Sequence, residues 1–358
     1  MRKNQLIIFG IILTIMIPFM NGQDVDIISK KRISSSMAGE GDPWEVLSDD
    51  LEKVLLAFHK GFSVSEIAAA FGISERQLIE QLEPLVKANI LNKTDKGYFP
   101  EILLASEREA LNIYNRAEKT ARKISETILS SWNKIAKSYN KLNISRTQSL
   151  NEIGFMLVGS RILDVGVLRA LAKNEELLLP APLRPTPSYP YSRYYLWIVE
   201  NSPDKYGYGQ KDMELKYDNW YIVNFGRDNE SRTRLEEKAV ELIESGKYDS
   251  PEHFATLIGA SYLNKNDSKV WENFVAEISE ICLTQLLKEK EEIKELYQTI
   301  KTSQYSENAF DDFYCWYYHY VYPIAINNLI IENLFEMPED HHISIVLYNE
   351  QGNGVHFE

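Results

Sequence analysis

The sequence predicts an α+β protein that is predominantly helical: an N-terminal helical module, a long connecting helix, and a C-terminal mixed domain whose small sheet is flanked by helices. Three observations lead there. Apolar residues recur at spacings of three and four along most of the chain, the period of a helix with one buried face. Two short runs, 194–199 and 220–225, are rich in the aromatic and β-branched residues that favour strands. A series of helical patterns separates them from a last strand-like run at 343–348, which is the order of an α+β domain. With 358 residues, 44% of them hydrophobic and 25% charged, the chain has a globular composition and room for two domains.

Residues 1–22 read as a secretory signal peptide. Arg2 and Lys3 precede an apolar run from Leu6 to Met20, interrupted by Gly10, Thr14 and Pro18, and polar Asn21, Gly22 and Gln23 follow. The run of about fifteen residues is shorter than the roughly 20 that span a bilayer as a helix, so cleavage after Gly22 is expected. An uncleaved inner-membrane anchor through residues 6–20 is the alternative, because Met20 is large for its place before the cut. The expected location is periplasmic or extracellular. Loss of Arg2 and Lys3 takes the net charge from -13 to -15, and an acidic chain repels nucleic acid and anionic membrane surfaces unless its basic residues are segregated. Cys282 and Cys315 are the chain's two cysteines, and both fall in segments read as buried helix, which favours inert core thiols over a disulfide.

Residues 23–44 carry few large apolar side chains and include Ser34-Ser35-Ser36 and Gly39-Glu40-Gly41, the composition of a flexible tether. A first helix follows, capped by Asp49 or Asp50, with Leu51, Val54, Leu55 and Phe58 on one face and a stop at Gly61. Next come two short helices. Ser63 with Glu66 and Ser74 with Gln77 form capping boxes, Gly72 can end the first of the two, and Ile67, Ala68, Phe71, Ile73, Leu78, Leu82 and Leu85 supply a shared core. Ile90 to Lys93 and Tyr98-Phe99 then read as strands around the turn Thr94-Asp95-Lys96-Gly97.

In that order of elements, residues 45–100 resemble the winged helix-turn-helix domains of bacterial transcription regulators. The resemblance implies a recognition helix from Ser74 and a hairpin wing, with Arg76, Gln77, Gln81, Lys93 and Lys96 at the positions that would contact nucleic acid. Glu75, Glu80 and Glu83 outnumber Arg76 and Lys87 there, the opposite of the balance that phosphate contacts need. Together with the export signal, this disfavours DNA binding and favours a winged helix used for protein contact or as a structural module. A DNA-binding regulator, membrane-tethered or cytoplasmic, remains the alternative that the resemblance implies.

Residues 101–145 read as one long amphipathic helix in which Tyr114, Ala117, Ala121, Ile124, Ile128, Trp132, Ile135 and Tyr139 form a stripe. The rest of this chain is the expected cover. A coiled-coil partner, and with it a homo-oligomer through this helix, is the alternative. In 146–358, helical pattern runs to Leu171, a proline-rich loop occupies 180–187, and the two aromatic strands follow, joined by Tyr206-Gly207-Tyr208-Gly209. Helices are expected at 231–246, 251–260, 268–302 and 308–335, the last broken or kinked at Pro323.

No HExxH, GxSxG, CxxC or glycine-rich phosphate loop occurs, and no cofactor or metal site is expected. Paired carboxylates leave no such signature, so a hydrolase stays open as the second reading. His319, in an aromatic block with Asp311 and Asp312 about two turns back, is either a general base or a core histidine. His341 and His342, beside Glu339 and Asp340, belong to a solvated turn. The aromatic strands carry the ligand candidates Tyr195, Trp197 and Trp220, with His319 opposite. Alternation places Tyr195, Trp197 and Val199 on one face and Tyr194, Leu196 and Ile198 on the other, so a central strand covered on both sides competes with a ligand groove. The leading expectation is non-enzymatic binding of a protein or small ligand.

Overall fold

The computed structural model describes residues 32–174, 177–203, 207–227, 229–306 and 308–349. The signal peptide expected at 1–22 and the start of the expected tether lie outside them. The chain is α+β and predominantly helical. None of the described helices is long and apolar enough to cross a membrane.

The first element corrects the sequence reading. Residues 33–40, expected to be part of a flexible tether, form strand β1 (Ile33–Glu40), antiparallel to a strand more than 150 residues away, with Ile33 opposite Glu200 and Glu40 opposite Arg193. Serine and glycine give such a strand no pattern of its own; the ladder comes from its partner. Gly39, at φ 125°, passes so close to that partner that a Cβ would lie 2.5 Å from the Arg193 carbonyl oxygen.

Three helices and a hairpin follow in the expected order: α1 (Asp49–Lys60), α2 (Val64–Ala70), α3 (Glu75–Lys87), then β2 (Leu91–Thr94) antiparallel to β3 (Gly97–Pro100). Ser48, rather than Asp49 or Asp50, caps α1 by accepting from the Leu51 N–H. Both capping boxes form as read, Ser63 with Glu66 and Ser74 with Gln77. Leu55, Ile67, Leu78, Leu82 and Leu85 are buried together. That cluster also takes in Tyr194, Leu196 and Ile198, so the core does not stop at residue 100.

Strand β4 (Leu103–Ala105) occupies the start of what was read as the long helix, which begins six residues later than expected as α4 (Glu107–Tyr139). Pairing decides this, because β4 lies parallel to β5 (Arg193–Glu200), the strand that also holds β1. The order β1-β5-β4 makes β5 central, and its two faces enter two different clusters: Tyr195, Trp197 and Val199 one, Tyr194, Leu196 and Ile198 the other. The stripe of α4 is covered by this chain's own later helices, chiefly α11 (Ala309–Ile331). His59 of α1 locks the first helices to α4: its Nδ1 lies 2.7 Å from the Tyr305 hydroxyl and its Nε2 3.3 Å from Glu109 Oε2.

Past α4, helix runs through α5 (Leu150–Gly154), a π-helix (Phe155–Gly166) and α6 (Val167–Asn174). The second aromatic strand does not join the first in a single sheet, as the sequence reading had it. Strand β7 (Trp220–Arg227) lies in a four-stranded sheet of order β6-β7-β9-β8, with β6 (Tyr208–Glu214), β8 (Ser261–Tyr262) and β9 (His342–Tyr348). Residues 208–209, read as a connection, therefore belong to a strand. Helices α7 (Glu230–Ser245), α8 (Pro251–Ile258), α9 (Lys265–Leu287), α10 (Lys290–Gln298) and α11 (Ala309–Ile331) complete the body. The single helix expected at 268–302 is two helices, separated at Glu289, a buried carboxylate bonded to Arg116 and Thr120 of α4. Helix α11 continues past Pro323.

A buried ion pair ties the proline-rich loop to this body. Arg184 donates to both carboxylate oxygens of Asp312 on α11, at 2.8 and 2.7 Å, and to the carbonyls of Tyr194 and Glu101. Asp312 also accepts from the Leu196 N–H of β5.

Candidate ligand-binding cleft

The site begins with an anomaly in the helix. Between Gly154 and Val167 the chain is almost wholly apolar, yet it carries Arg161 and Asp164, which are 2% and 6% exposed. This stretch is wound as a π-helix, a wide and costly form that recurs at functional sites. Gly159 lets it approach β7, since a Cβ there would lie 2.7 Å from Phe225. Packed in this way, the helix turns Asp164, but not Arg161, toward an open cleft of about 1480 Å³ between β1, β6, the π-helix and α11.

A network of charges reaches the cleft through Gln210, Asp212 and Arg232. Arg161 donates to Glu272 Oε1 at 2.6 Å and to Gln210 Oε1 at 3.5 Å. Ser160 donates to the same Gln210 oxygen, and Gln210 Nε2 donates to Asp212 Oδ1 at 2.8 Å. Arg169 faces the other oxygen of Glu272 at 3.6 Å. Arg232 of α7 pairs with Glu236 at 3.0 Å and donates to the Gly226 carbonyl. Asp164, in contrast, accepts no hydrogen bond and makes no ion pair among the described residues, although it lines the cleft. Burial, reinforced by the charge of Asp212, pushes its carboxyl up to about 8 against the pull of Arg161 and Arg232. Burial also raises Asp212, against Arg161 and Arg169.

An aromatic wall stands beside this network. Of the four ligand candidates read from the sequence, the fold brings two together: Trp197 of β5 and His319 of α11 both line the cleft, with ring centroids 5.2 Å apart. Trp316 and Tyr320 extend the wall. Tyr195 lies on the same strand face as Trp197 but deeper, wholly buried, with its hydroxyl donating to the Leu179 carbonyl. Trp220 is elsewhere, stacked on Tyr262 at 5.6 Å.

The carboxylates expected to serve His319 are engaged away from it. Asp312 holds Arg184, and Asp311 accepts from the Leu179 N–H at 2.9 Å. His319 Nδ1 instead donates to the Cys315 carbonyl at 2.7 Å. Cys282 and Cys315 are buried free thiols, and burial pushes Cys282 up to about 12. His341 and His342 follow a turn closed by the His341 N–H on the Pro338 carbonyl. Among the described residues no group of three or more His, Cys, Asp or Glu side chains is placed to hold a metal ion.

The nucleic-acid candidates are all exposed. Arg76 is paired with Glu80 at 2.9 Å, Gln77 is occupied by its capping box, Gln81 sits on the same exposed helix, and Lys93 and Lys96 stand on the hairpin, Lys93 over the Tyr98 ring.

Arg161 and Asp164 went unread as site residues. Two charges three residues apart within an apolar run were the available signal, but their partners on β6, α7 and α9 are set only by the fold. What fold and site define together is an α+β protein with a ligand-sized cleft built over buried charge. Neither a known protein family, nor a characterised protein, nor a solved structure matches the chain.

Proposed function

We propose that this chain is an exported, non-enzymatic ligand-binding protein whose binding site is the cleft, with residues 45–100 a winged helix serving as a structural and protein-contact module. One observation carries the reading: Asp164 is 6% exposed, has no hydrogen-bond or ion-pair partner among the described residues, and lines an open cleft. A buried polar group without a hydrogen bond costs folding free energy, so such a group is kept where a ligand completes it. The acidic α3, with Arg76 neutralised by Glu80, supports protein contact over DNA contact.

Thermal melts of the purified chain with alkylammonium salts, neutral saccharides and short peptides test the binding. One class is expected to raise the melting temperature by several degrees at about 100 times its Kd, which is worth about 2.7 kcal/mol. Trp197→Ala should abolish that rise. If no class stabilises the chain at millimolar concentration, the reading fails.

For export, mass spectrometry of the mature chain is expected to find Gln23 at the N-terminus. An intact Met1 in a membrane fraction would instead support the anchored alternative.

A hydrolase is the second reading, favoured by two carboxyls, Asp164 and Asp212, that line one cleft and act on each other electrostatically, a pairing that acid-base catalysis uses. A hydrolytic activity lost in Asp164→Asn, with folding intact, would put it first.

A further inference from the structure

We propose that the cleft binds a cationic ligand, with an ammonium group seated on the Asp164 carboxylate and its hydrocarbon against the aromatic wall that includes Trp197 and Trp316. This rests on the reading of the cleft as a binding site and names the class of its ligand.

The pairing of the charges at and behind the cleft points to a cation at Asp164. Four carboxylates, Asp164, Asp212, Glu236 and Glu272, meet three guanidiniums, Arg161, Arg169 and Arg232, with Lys211 joining Glu236 at the edge. Glu272 takes Arg161 and Arg169, Glu236 takes Arg232 and Lys211, and Asp212 takes the Gln210 amide. Asp164 is the one of the four with neither a hydrogen bond nor an ion pair among the described residues. Facing it are Asp212 from β6, Arg161 from its own helix and Arg232 from α7; Cys315 and Tyr318 of α11 lie within its electrostatic reach, and His319 stands on the wall.

Three kinds of ligand can then be compared. An anion would meet Asp164 and Asp212 unfavourably. A neutral hydroxyl would bond one oxygen without favouring the ionised carboxylate. A cation favours the ionised form directly, and aromatic rings stabilise cations on their faces. The cleft lining also carries Glu40, Asp49, Glu52 and Glu214 against Arg32 and Lys53.

The mechanism has a thermodynamic signature. A cation binds the ionised carboxylate, so below about pH 8 binding must expel the Asp164 proton. Titration calorimetry of the full chain with tetramethylammonium, which has no proton of its own, reads this when run in buffers of differing ionisation enthalpy. Affinity is expected to rise about tenfold per pH unit from pH 6 to 8 and then level off, with close to one proton released per ligand at pH 6. Asp164→Asn is expected to lose at least about tenfold in affinity, together with the slope and the proton. Binding that Asp164→Asn leaves unchanged, or that releases no proton, overturns the proposal. So does binding of methyl α-glucoside where tetramethylammonium fails, an outcome that leaves the ligand-binding reading standing. If neither probe binds and no panel compound stabilises the chain, both fall.

Discussion

Replacing Asp312 by alanine is expected to destabilise the chain by about 3–5 kcal/mol, the usual cost of stripping one partner from a buried ion pair. Asp312 is fully buried and bonds both Arg184 and the Leu196 N–H, so its removal strands the Arg184 guanidinium, itself 1% exposed, on the carbonyls of Tyr194 and Glu101. Arg184 Nε already has no partner, and no compensation is at hand. Since folded chains are stable by only about 5–15 kcal/mol, the loss should show as a large fall in the urea midpoint. A double replacement, Arg184→Met with Asp312→Leu, should recover much of it, because removing both charges leaves neither unpaired. A single variant that loses under about 1 kcal/mol, or a double variant no better than the single, would show that the pair does not hold loop 180–187, α11 and β5 together.

Asp164→Asn is expected to do the reverse and stabilise the free protein by on the order of 4 kcal/mol near pH 7. A carboxyl raised from its ordinary 3.8 to about 8 is favoured protonated in the folded chain. The stability it contributes is full below about pH 4 and is lost as pH climbs toward 8, at about 1.4 kcal/mol per unit. Urea denaturation of the two proteins should show a gap that widens with pH and is constant beyond about 8. A gap that is absent, or that narrows as pH rises, would mean that Asp164 has a partner in solution. Stability given up at a binding residue is the expected trade where function needs an unsatisfied group.

How much of this was legible depended on whether the information was local. The capping boxes at Ser63 and Ser74 are contacts over three residues, so sequence alone specifies them. The period of the α4 stripe and the two apolar faces of β5 are equally local statements about burial. Strand β1 was illegible because Ser34, Ser35, Ser36 and Gly39 have no strand preference, and their hydrogen bonds go to residues near 200. The start of α4 was misplaced for a similar reason: Leu103–Ala105 fits a helical pattern but is captured by β5.

The cleft was half legible. Trp197 and His319 stood out as aromatic and titratable residues, but their 5.2 Å approach and the exclusion of Trp220 were decided by which sheet each strand joined, and that of Tyr195 by its burial against the Leu179 carbonyl. Arg161 and Asp164 show the limit most clearly. By itself the sequence determined that two charges lie in an apolar helical run. Only the tertiary structure decided that Arg161 is matched by Glu272 and Gln210 while Asp164 faces open space, because pairing across 111 and 49 residues is set by packing rather than by local pattern.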